Sequence, residues 1–252
     1  MRHALIGLLL LGATVVTTPA QAAVNVSIGI NVPTYPTLVR IPSYPVYYAP
    51  SMHANYFFYD GLYWVFSNGN WYSSHWYNGP WYMVDPFDVP VYVLRVPVRY
   101  YTARPTYFSG WANDAPPRWG EYWGTDWVSR RAGWDRWNRA SAPAAAPLPS
   151  YQRAYSGNRY PTVTQQAAIQ TKSYSYQPRD AVAKARFQEQ RAMARNAKAE
   201  VKEVRKEAKE VRKEAKAVQK VEKRQAKQEK QAQHHDNGKG KAKGKDKDHD
   251  RG

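Results

Sequence analysis

The amino-acid sequence predicts an α+β fold: a small antiparallel aromatic β-meander with a Trp/Gly-rich helix, followed by a long basic α-helix and a disordered tail. Three observations support this fold class. Residues 56–84 alternate aromatic runs with Asp-Gly and Asn-Gly turn dipeptides. Tryptophans recur at helical spacing in residues 119–137. From residue 181 onward, small apolar residues recur every seven positions among charged ones.

The first 22 residues predict a secretory signal peptide. Arg2 and His3 form a short basic start, residues 4–16 are apolar, and Ala20-Gln21-Ala22 matches a cleavage signal. A membrane anchor would need about 20 apolar residues, and polar Thr residues interrupt the run too early. We therefore expect an exported mature protein without a transmembrane segment.

Composition restricts the chemistry that the chain can use. It has no cysteine, which excludes disulfides and thiolate chemistry. All ten tryptophans lie between Trp64 and Trp137, so the core is expected there. The net charge is +17, and residues 181–252 hold 23 Lys or Arg against 12 Asp or Glu. Before this segment Lys172 is the single lysine, so arginine and lysine are expected to serve different purposes.

Residues 23–55 predict an N-terminal strand followed by a Pro/Tyr-rich extended segment. Residues 24–32 alternate apolar and polar side chains, as a half-buried strand does. Five prolines between Pro33 and Pro50 then remove backbone donors, so this part is expected to run extended over the surface. It fits a spacer better than a recognition arm.

Residues 56–139 are expected to form the aromatic β-meander plus the Trp-rich helical segment. The turn dipeptides fix four cross-strand pairs, namely Tyr59 with Leu62, Phe57 with Trp64, Phe66 with Trp71 and Val65 with Tyr72. Both faces of the resulting sheet are aromatic, and so large an apolar surface needs a cover or a ligand. The candidate aromatic binding surface is Tyr63, Tyr72, Trp76 and Trp81.

Two later segments are expected to cover one face. Residues 88–101 alternate as an edge strand does, with Pro90 and Pro97 confining it to the outside of the sheet. The Trp-rich helix is expected to begin with a cap at Asn113 or Asp114. Its three glycines each cost about 1 kcal/mol, so a partly irregular helix is expected.

The last three segments change composition at each boundary. Residues 140–180 form a Pro/Ala/Tyr-rich linker in which little order is expected. Residues 181–233 predict a long charged α-helix capped by Asp180, with an Ala/Val seam that is poor for a coiled coil. Both a lone helix and a homo-oligomer through this segment fit the pattern. Residues 234–252 predict a disordered Lys/Gly/Asp tail.

The aromatic hairpins and the Trp-Gly stretch resemble a group of uncharacterised secreted Tyr/Trp/Pro-rich proteins of Gram-negative bacteria with a Y-x-W-G-x-W repeat. The resemblance covers residues 24–180, opening with VNVSIGINVPTYP. This chain departs from the repeat in YWGTDW, residues 122–127, by one extra residue before the last Trp. The resemblance implies a periplasmic or outer-surface location and supplies no activity, substrate or site.

Function is expected to lie in binding rather than catalysis. We assign no catalytic, cofactor or metal residues, because no nucleophile is positioned beside a base. The partner is expected to be an anionic envelope polymer, such as an anionic glycan or lipopolysaccharide, or another envelope protein. The alternative is polyanion or extracellular nucleic-acid binding through the basic C-terminal helix and tail, since export argues against an intracellular nucleic acid. The candidate polyanion-binding residues are Lys239, Lys241, Lys243, Lys245 and Lys247.

Overall fold

The structure is a computed structural model that describes residues 29–239, with side chains as far as residue 228. The expected signal peptide, most of the expected N-terminal strand and the tail beyond residue 239 lie outside the described residues. The described chain divides into two compact units. The first comprises residues 29–161 and Ile169–Gln190, and the second comprises Thr162–Ala168 and residues 191–239.

The described residues of the first unit form a six-stranded antiparallel sheet with its strands in sequence order. This arrangement is a simple meander, as the sequence predicts. The strands are β1 Val39–Arg40, β2 Val46–Tyr48, β3 Asn55–Tyr59, β4 Leu62–Ser67, β5 Asn70–Ser74 and β6 Tyr82–Val84.

The predicted register of the three central strands is confirmed, including all four cross-strand pairs. Its cause is the turn chemistry. Asp60 and Gly61 have φ of 48° and 88°, and Asn68 and Gly69 have φ of 50° and 77°. Two consecutive positive φ angles define the hairpin turn that Asp-Gly and Asn-Gly favour, so each turn sets the pairing of its two strands.

The Pro/Tyr-rich segment is more structured than expected. Strands β1 and β2 lie in it, and its prolines at 42 and 45 stand between the two strands rather than within them. Ile41 and Tyr44 are buried in the core. The prediction of a surface spacer is therefore wrong for this part, because proline at a strand end removes no ladder hydrogen bond. Residues 29–32, the described end of the expected N-terminal strand, are not in a strand.

The first aromatic face of the sheet packs against residues 86–137. This face carries Phe57, Tyr59, Leu62, Trp64, Phe66 and Trp71, all of them buried. The expected edge strand in this cover is wrong, because Val91–Leu94 form the short helix α1 instead. Pro90 and Pro97 each precede a helical turn, where their fixed φ is accommodated.

The Trp-rich helix α2, Trp119–Arg130, is shorter than the tryptophan pattern suggests. It begins after Arg118 rather than at the expected Asn113 or Asp114 cap, and it kinks at Gly124, whose φ is 84°. Trp134 and Trp137 lie beyond its end but still pack against the core. The tryptophans thus share one buried side without sharing one helix.

Two arginines fix the loops around this cover through backbone carbonyls. Arg131 donates to the carbonyl oxygens of Phe87 at 3.0 Å and Val89 at 2.7 Å. Arg95 donates to the carbonyl oxygens of Trp134 and Arg136. Burial lowers the pKa of both guanidinium groups from its ordinary value. Arginine suits this position because its planar group donates several hydrogen bonds at once.

The second aromatic face is covered by the segment that was expected to be a loose linker. Gln152 is fully buried there. Its Oε1 accepts from the Tyr63 hydroxyl at 2.9 Å and from the Tyr77 amide at 3.2 Å. Its Nε2 donates to the His75 carbonyl at 2.9 Å. Residues 140–161 are therefore part of the fold, because a polar side chain in their middle satisfies buried groups of the sheet.

Two further helices follow, α3 Val163–Ser173 and α4 Ala181–Lys239. The predicted disorder from residue 234 is therefore wrong for residues 234–239, which continue the helix. The predicted cap of α4 is confirmed, since Asp180 Oδ1 accepts from the amides of Val182 at 2.9 Å and Ala183 at 3.1 Å. The start of α4 belongs to the first unit, where Phe187 is buried in the core. The predicted boundary at residue 181 therefore does not separate the helix from the aromatic core.

The first hairpin turn is joined to the start of α4 by a buried carboxylate. Asp60 Oδ2 accepts from the backbone amides of Arg179 and Asp180, each at 2.7 Å. Its Oδ1 accepts from the Tyr176 hydroxyl. Asp60 therefore serves both the turn and the helix start.

Asp60→Asn is expected to lower the free energy of unfolding by about 1–3 kcal/mol, because an amide nitrogen would replace an acceptor that faces N–H donors. Asparagine keeps the positive φ of the turn accessible, so the change tests the carboxylate. Urea unfolding measures the effect. Asp126→Asn is the control: Asp126 is exposed and paired with Arg130 at 3.5 Å, so a change within about 0.5 kcal/mol is expected. Equal stability of both variants would contradict the role of Asp60.

Alkaline pH is expected to unfold the protein cooperatively. Burial raises the pKa of Tyr56, Tyr63 and Tyr101 well above the ordinary value of 10.0. Above about pH 10 the unfolded chain loses phenol protons that the folded chain retains, so the free energy of unfolding falls as pH rises. Phenolate absorbance of these tyrosines should appear together with the loss of near-ultraviolet dichroism. Ionisation of all tyrosines near pH 10 in a still-folded protein would contradict their burial.

Candidate functional site

A groove of about 540 Å³ opens in the first unit beside the second hairpin turn. We call it the tyrosine groove. Four separate segments line it, namely residues 53–55 before and at the start of β3, residues 66–69 at the hairpin turn, residues 103–107 and Tyr122 of α2, together with Ile30. The sheet and helix α2 thus supply opposite parts of its wall.

Two stacked tyrosines form the aromatic part of the groove. The rings of Tyr107 and Tyr122 are parallel within 3°, with centroids 4.5 Å apart. Tyr122 is 40% exposed, whereas Tyr107 is half-buried. Burial raises the pKa of Tyr107, and the neighbouring Tyr122 adds to the shift. The pair therefore presents an aromatic surface in which the Tyr122 ring is the more exposed of the two.

The close approach of α2 to the hairpin turn requires a glycine. At Gly69, φ is 77°, and a Cβ atom would lie 2.3 Å from the Tyr122 hydroxyl oxygen. A side chain would therefore strain the backbone and displace the exposed ring. The Asn-Gly turn thus fixes the strand register and also leaves room for the groove wall.

Among the described residues that line the groove, Arg104 supplies a fixed positive charge. Arg104 and His53 line the groove and are exposed, and none of the described lining residues is Asp or Glu. The Arg104 guanidinium donates to the Tyr101 carbonyl at 3.2 Å and to Asn113 Oδ1 at 3.0 Å. These two bonds hold the cation while leaving further donors of the group available. The tyrosine rings can pack against apolar ring faces of a ligand, and the Arg104 guanidinium can pair with a negative group. The groove therefore suits a ligand that has both apolar ring faces and negative charge.

Asn55 holds the loop that carries Arg104 and Tyr107. Its side chain is buried, with Nδ2 donating to the Ala103 carbonyl at 2.6 Å and Oδ1 accepting from the Ala103 amide at 2.9 Å. Thr102 adds a hydroxyl bond to the Ala54 carbonyl at 2.7 Å. The loop is thus joined to β3 much as a further strand would be.

The aromatic residues predicted from the sequence as a binding surface do not form one. Tyr63 and Trp76 are fully buried, and Tyr72 and Trp81 are 5% and 4% exposed. Residues of the second aromatic face fill the inside of the fold because residues 140–161 cover them. Trp76, for example, meets the rings of Tyr151 and Tyr155 edge-on, with centroids 5.8 and 5.5 Å apart. The prediction that these four side chains contact a ligand is therefore wrong for the described structure.

The second set of predicted residues lies outside the part of the structure that describes side chains. Lys239 is the last described residue of α4, without a described side chain, and Lys241, Lys243, Lys245 and Lys247 follow it. The groove residues were not predicted as a site. His53, Arg104, Tyr107 and Tyr122 are distant in sequence, and no spacing rule connects them.

Within residues 29–228, whose side chains the structure describes, no cluster of three or more His, Asp or Glu side chains is arranged to hold a metal ion. Of the helices in this part of the chain, none is both long and apolar enough to cross a membrane. Comparisons with protein-family models, with curated proteins and with solved structures find no match for the chain. The tyrosine groove is the candidate functional site.

Asn55→Ala is expected to loosen the groove loop, because both the amide and the carbonyl of Ala103 lose their partner. The free energy of unfolding should fall by about 1–3 kcal/mol, and the Ala103 amide should exchange faster with solvent by nuclear magnetic resonance. Asn70→Ala is the control, since exposed Asn70 donates locally to the Asn68 carbonyl at 3.1 Å. Unchanged exchange at Ala103 in Asn55→Ala would show that the side chain does not hold the loop.

Proposed function

We propose that the protein is an exported, non-enzymatic cell-envelope protein that binds anionic glycans through the tyrosine groove. The single observation that carries the proposal is the parallel Tyr107–Tyr122 pair beside Arg104 in an open groove. Sugar rings present apolar C–H faces that pack on aromatic rings, and their carboxylates or phosphates attract a guanidinium group. The groove provides both contacts within one volume.

Charge favours an anionic ligand over a neutral one. Arg104 and His53 meet no carboxylate among the described residues that line the groove. The whole chain carries a net charge of +17, which draws polyanions toward its surface before any specific contact forms. Lipopolysaccharide and acidic polysaccharides of the envelope share this chemistry, so the proposal names the anionic glycan rather than one source.

The location is proposed from the sequence. The signal-peptide pattern of residues 1–22 and the resemblance to secreted Tyr/Trp/Pro-rich proteins both favour the periplasm or the outer surface of a Gram-negative bacterium. An envelope location would bring the groove to anionic glycans in high local amount. Envelope fractionation followed by N-terminal sequencing tests it, and a mature start at Ala23 is the expected result.

Tyr122→Ala is expected to weaken binding of hexagalacturonate by roughly tenfold, because stacking on the exposed ring is lost. Tyr122→Phe keeps the ring and is expected to bind like the parent chain. Isothermal titration calorimetry on the full chain measures both. Maltohexaose, a neutral sugar of equal length, should bind more weakly than hexagalacturonate. The proposal is wrong if neither sugar binds, or if Tyr122→Ala binds like the parent chain.

Arg104→Gln is expected to weaken the same binding and to reduce its salt dependence, since one charge-assisted contact is removed. The matched control is Arg159→Gln, because Arg159 is exposed and is not part of the groove lining. Titrations at low and high salt measure the difference. Equal losses in the two variants would show that overall charge, and not the groove, attracts the sugar.

A second candidate function is polyanion binding through the basic helix and tail. It is favoured by the exposure of α4 over residues 201–228, where eleven Lys or Arg and five Glu give a net charge of +6. Such a surface neutralises phosphates without reading sequence. It requires no contact with the groove, so the two functions are separable.

A variant with five Lys→Gln changes is expected to bind double-stranded DNA with a weaker salt dependence. The changed residues are Lys239, Lys241, Lys243, Lys245 and Lys247. The slope of log affinity against log salt is negative, and each lost phosphate contact makes it shallower by about 0.9. Fluorescence anisotropy at several salt concentrations measures the slope. An unchanged slope would remove the tail from the binding surface.

A further inference from the structure

The exposed part of α4 carries a continuous row of small apolar side chains, which we call the valine stripe. Its members recur at alternating intervals of three and four residues, so they lie along one side of the helix. They are Val201, Val204, Ala208, Val211, Ala215 and Val218. The four valines are between 56% and 64% exposed. From this stripe we infer that a second copy of the chain packs on α4 as a parallel, in-register helix.

The spacing of the stripe is that of a coiled-coil seam. In heptad notation, Val201, Ala208 and Ala215 occupy position a, and the three remaining valines occupy position d. A helix that stays alone in water gains nothing from β-branched residues, which are weaker helix formers than alanine. Their strict period is explained when they pack between two helices. Glu222 and Gln225 take the next a and d positions, so the seam ends after Val218.

The charges that flank the seam choose a second copy of this chain as the partner. Positions e hold Arg205, Arg212 and Gln219, whereas positions g hold Glu200, Glu207 and Glu214. In a parallel pair, each g residue faces the e residue five positions later on the other helix. Glu200 of one copy then faces Arg205 of the second copy, and Glu207 faces Arg212. Symmetry doubles each contact.

The same charges disfavour the antiparallel arrangement. There, g faces g and e faces e, so Glu would meet Glu and Arg would meet Arg. The ion pair within this stretch of the helix joins Lys213 Nζ to Glu210 Oε1 at 2.9 Å. Those two residues occupy the outer positions f and c, away from the seam. Orientation is therefore decided by the charged residues at positions e and g, which flank the stripe.

Sedimentation equilibrium of the full chain tests whether two copies associate and whether the Glu–Arg pairs between positions g and e stabilise the dimer. As its concentration is raised to about 1 mM, the parent chain should form a detectable dimer. Arg205→Glu with Arg212→Glu should weaken the dimer by roughly tenfold or more, because attraction becomes repulsion. Adding Glu200→Arg and Glu207→Arg to that variant should restore it, since the pairs are re-formed with opposite sign. A monomeric parent chain, or no loss in the first variant, overturns the inference. Circular dichroism confirms that each variant remains helical.

Disulfide trapping tests the orientation, since the chain has no cysteine of its own. Val204→Cys at position d should cross-link to itself under mild oxidation in a parallel, in-register pair. In the antiparallel pair, position 204 would lie beside position 215, about 16 Å along the helix axis from position 204 of the other copy. That distance exceeds disulfide reach. Lys206→Cys, on the outer side, is the control. Efficient linking of Val204→Cys only to Ala215→Cys would overturn the parallel arrangement.

Discussion

The need to bury both faces of an aromatic sheet governs the rest of the first unit. Each central strand carries large rings on its two sides, and leaving either side in water would expose several hundred Å² of apolar surface. The chain has no disulfide to assist a small core, so stability must come from packing. Two covers result, one from residues 86–137 and one from residues 140–161 with the N-terminal segment.

Tyrosine allows a sheet of this kind to be buried on both sides. Each ring supplies apolar area, while its hydroxyl needs one partner. The structure provides such partners from distant segments: Tyr63 bonds to Gln152, Tyr56 to the Tyr77 carbonyl and Tyr160 to the Gly79 carbonyl. Arg95 and Arg131 supply hydrogen-bond donors in the first cover. They donate to loop carbonyls that would otherwise lack a partner in this irregular segment. Lysine, a point charge on a flexible stem, is left for the exposed helix.

The parts of the fold that sequence reasoning predicted correctly are those set by local chemistry. Asp60-Gly61 and Asn68-Gly69 determine the strand register through backbone conformation alone, and Asp180 marks a helix start through its cap. The cover of the first face was predicted from the Trp-rich segment, although its edge strand was wrong. The cover of the second face was not predicted, because it consists of proline-rich turns without a period. Residues 150–155 look like a linker by composition, and only the distant partners of Gln152 give that segment its place.

The site could not be predicted for the same reason. Tyr122 is one of several aromatic residues in helix α2, which kinks at Gly124, and its hydroxyl fits against the hairpin turn because residue 69 is a glycine. Tyr107 stacks on Tyr122. It lies in the loop that Asn55 holds through the backbone of Ala103. The sequence assigned the aromatic role to the sheet, whereas the exposed ring lies on the cover.

If α4 pairs two copies, each dimer carries two tyrosine grooves. Two weak sites on one particle bind a repeating polymer far more tightly than either site does alone. Groove binding and helix association would then contribute to one function through avidity, although each can be lost without the other.

Burial of the second aromatic face depends on its cover by residues 140–161. Hydrogen exchange of the full chain, read by mass spectrometry for peptides across residues 150–155, tests it most directly. We predict slow exchange at the Gln152 and Tyr155 amides, which donate to the carbonyls of Pro149 and Gln152 at 3.0 Å each. Exchange of those amides as fast as in an unfolded peptide would mean that the second face is open, and would contradict the account.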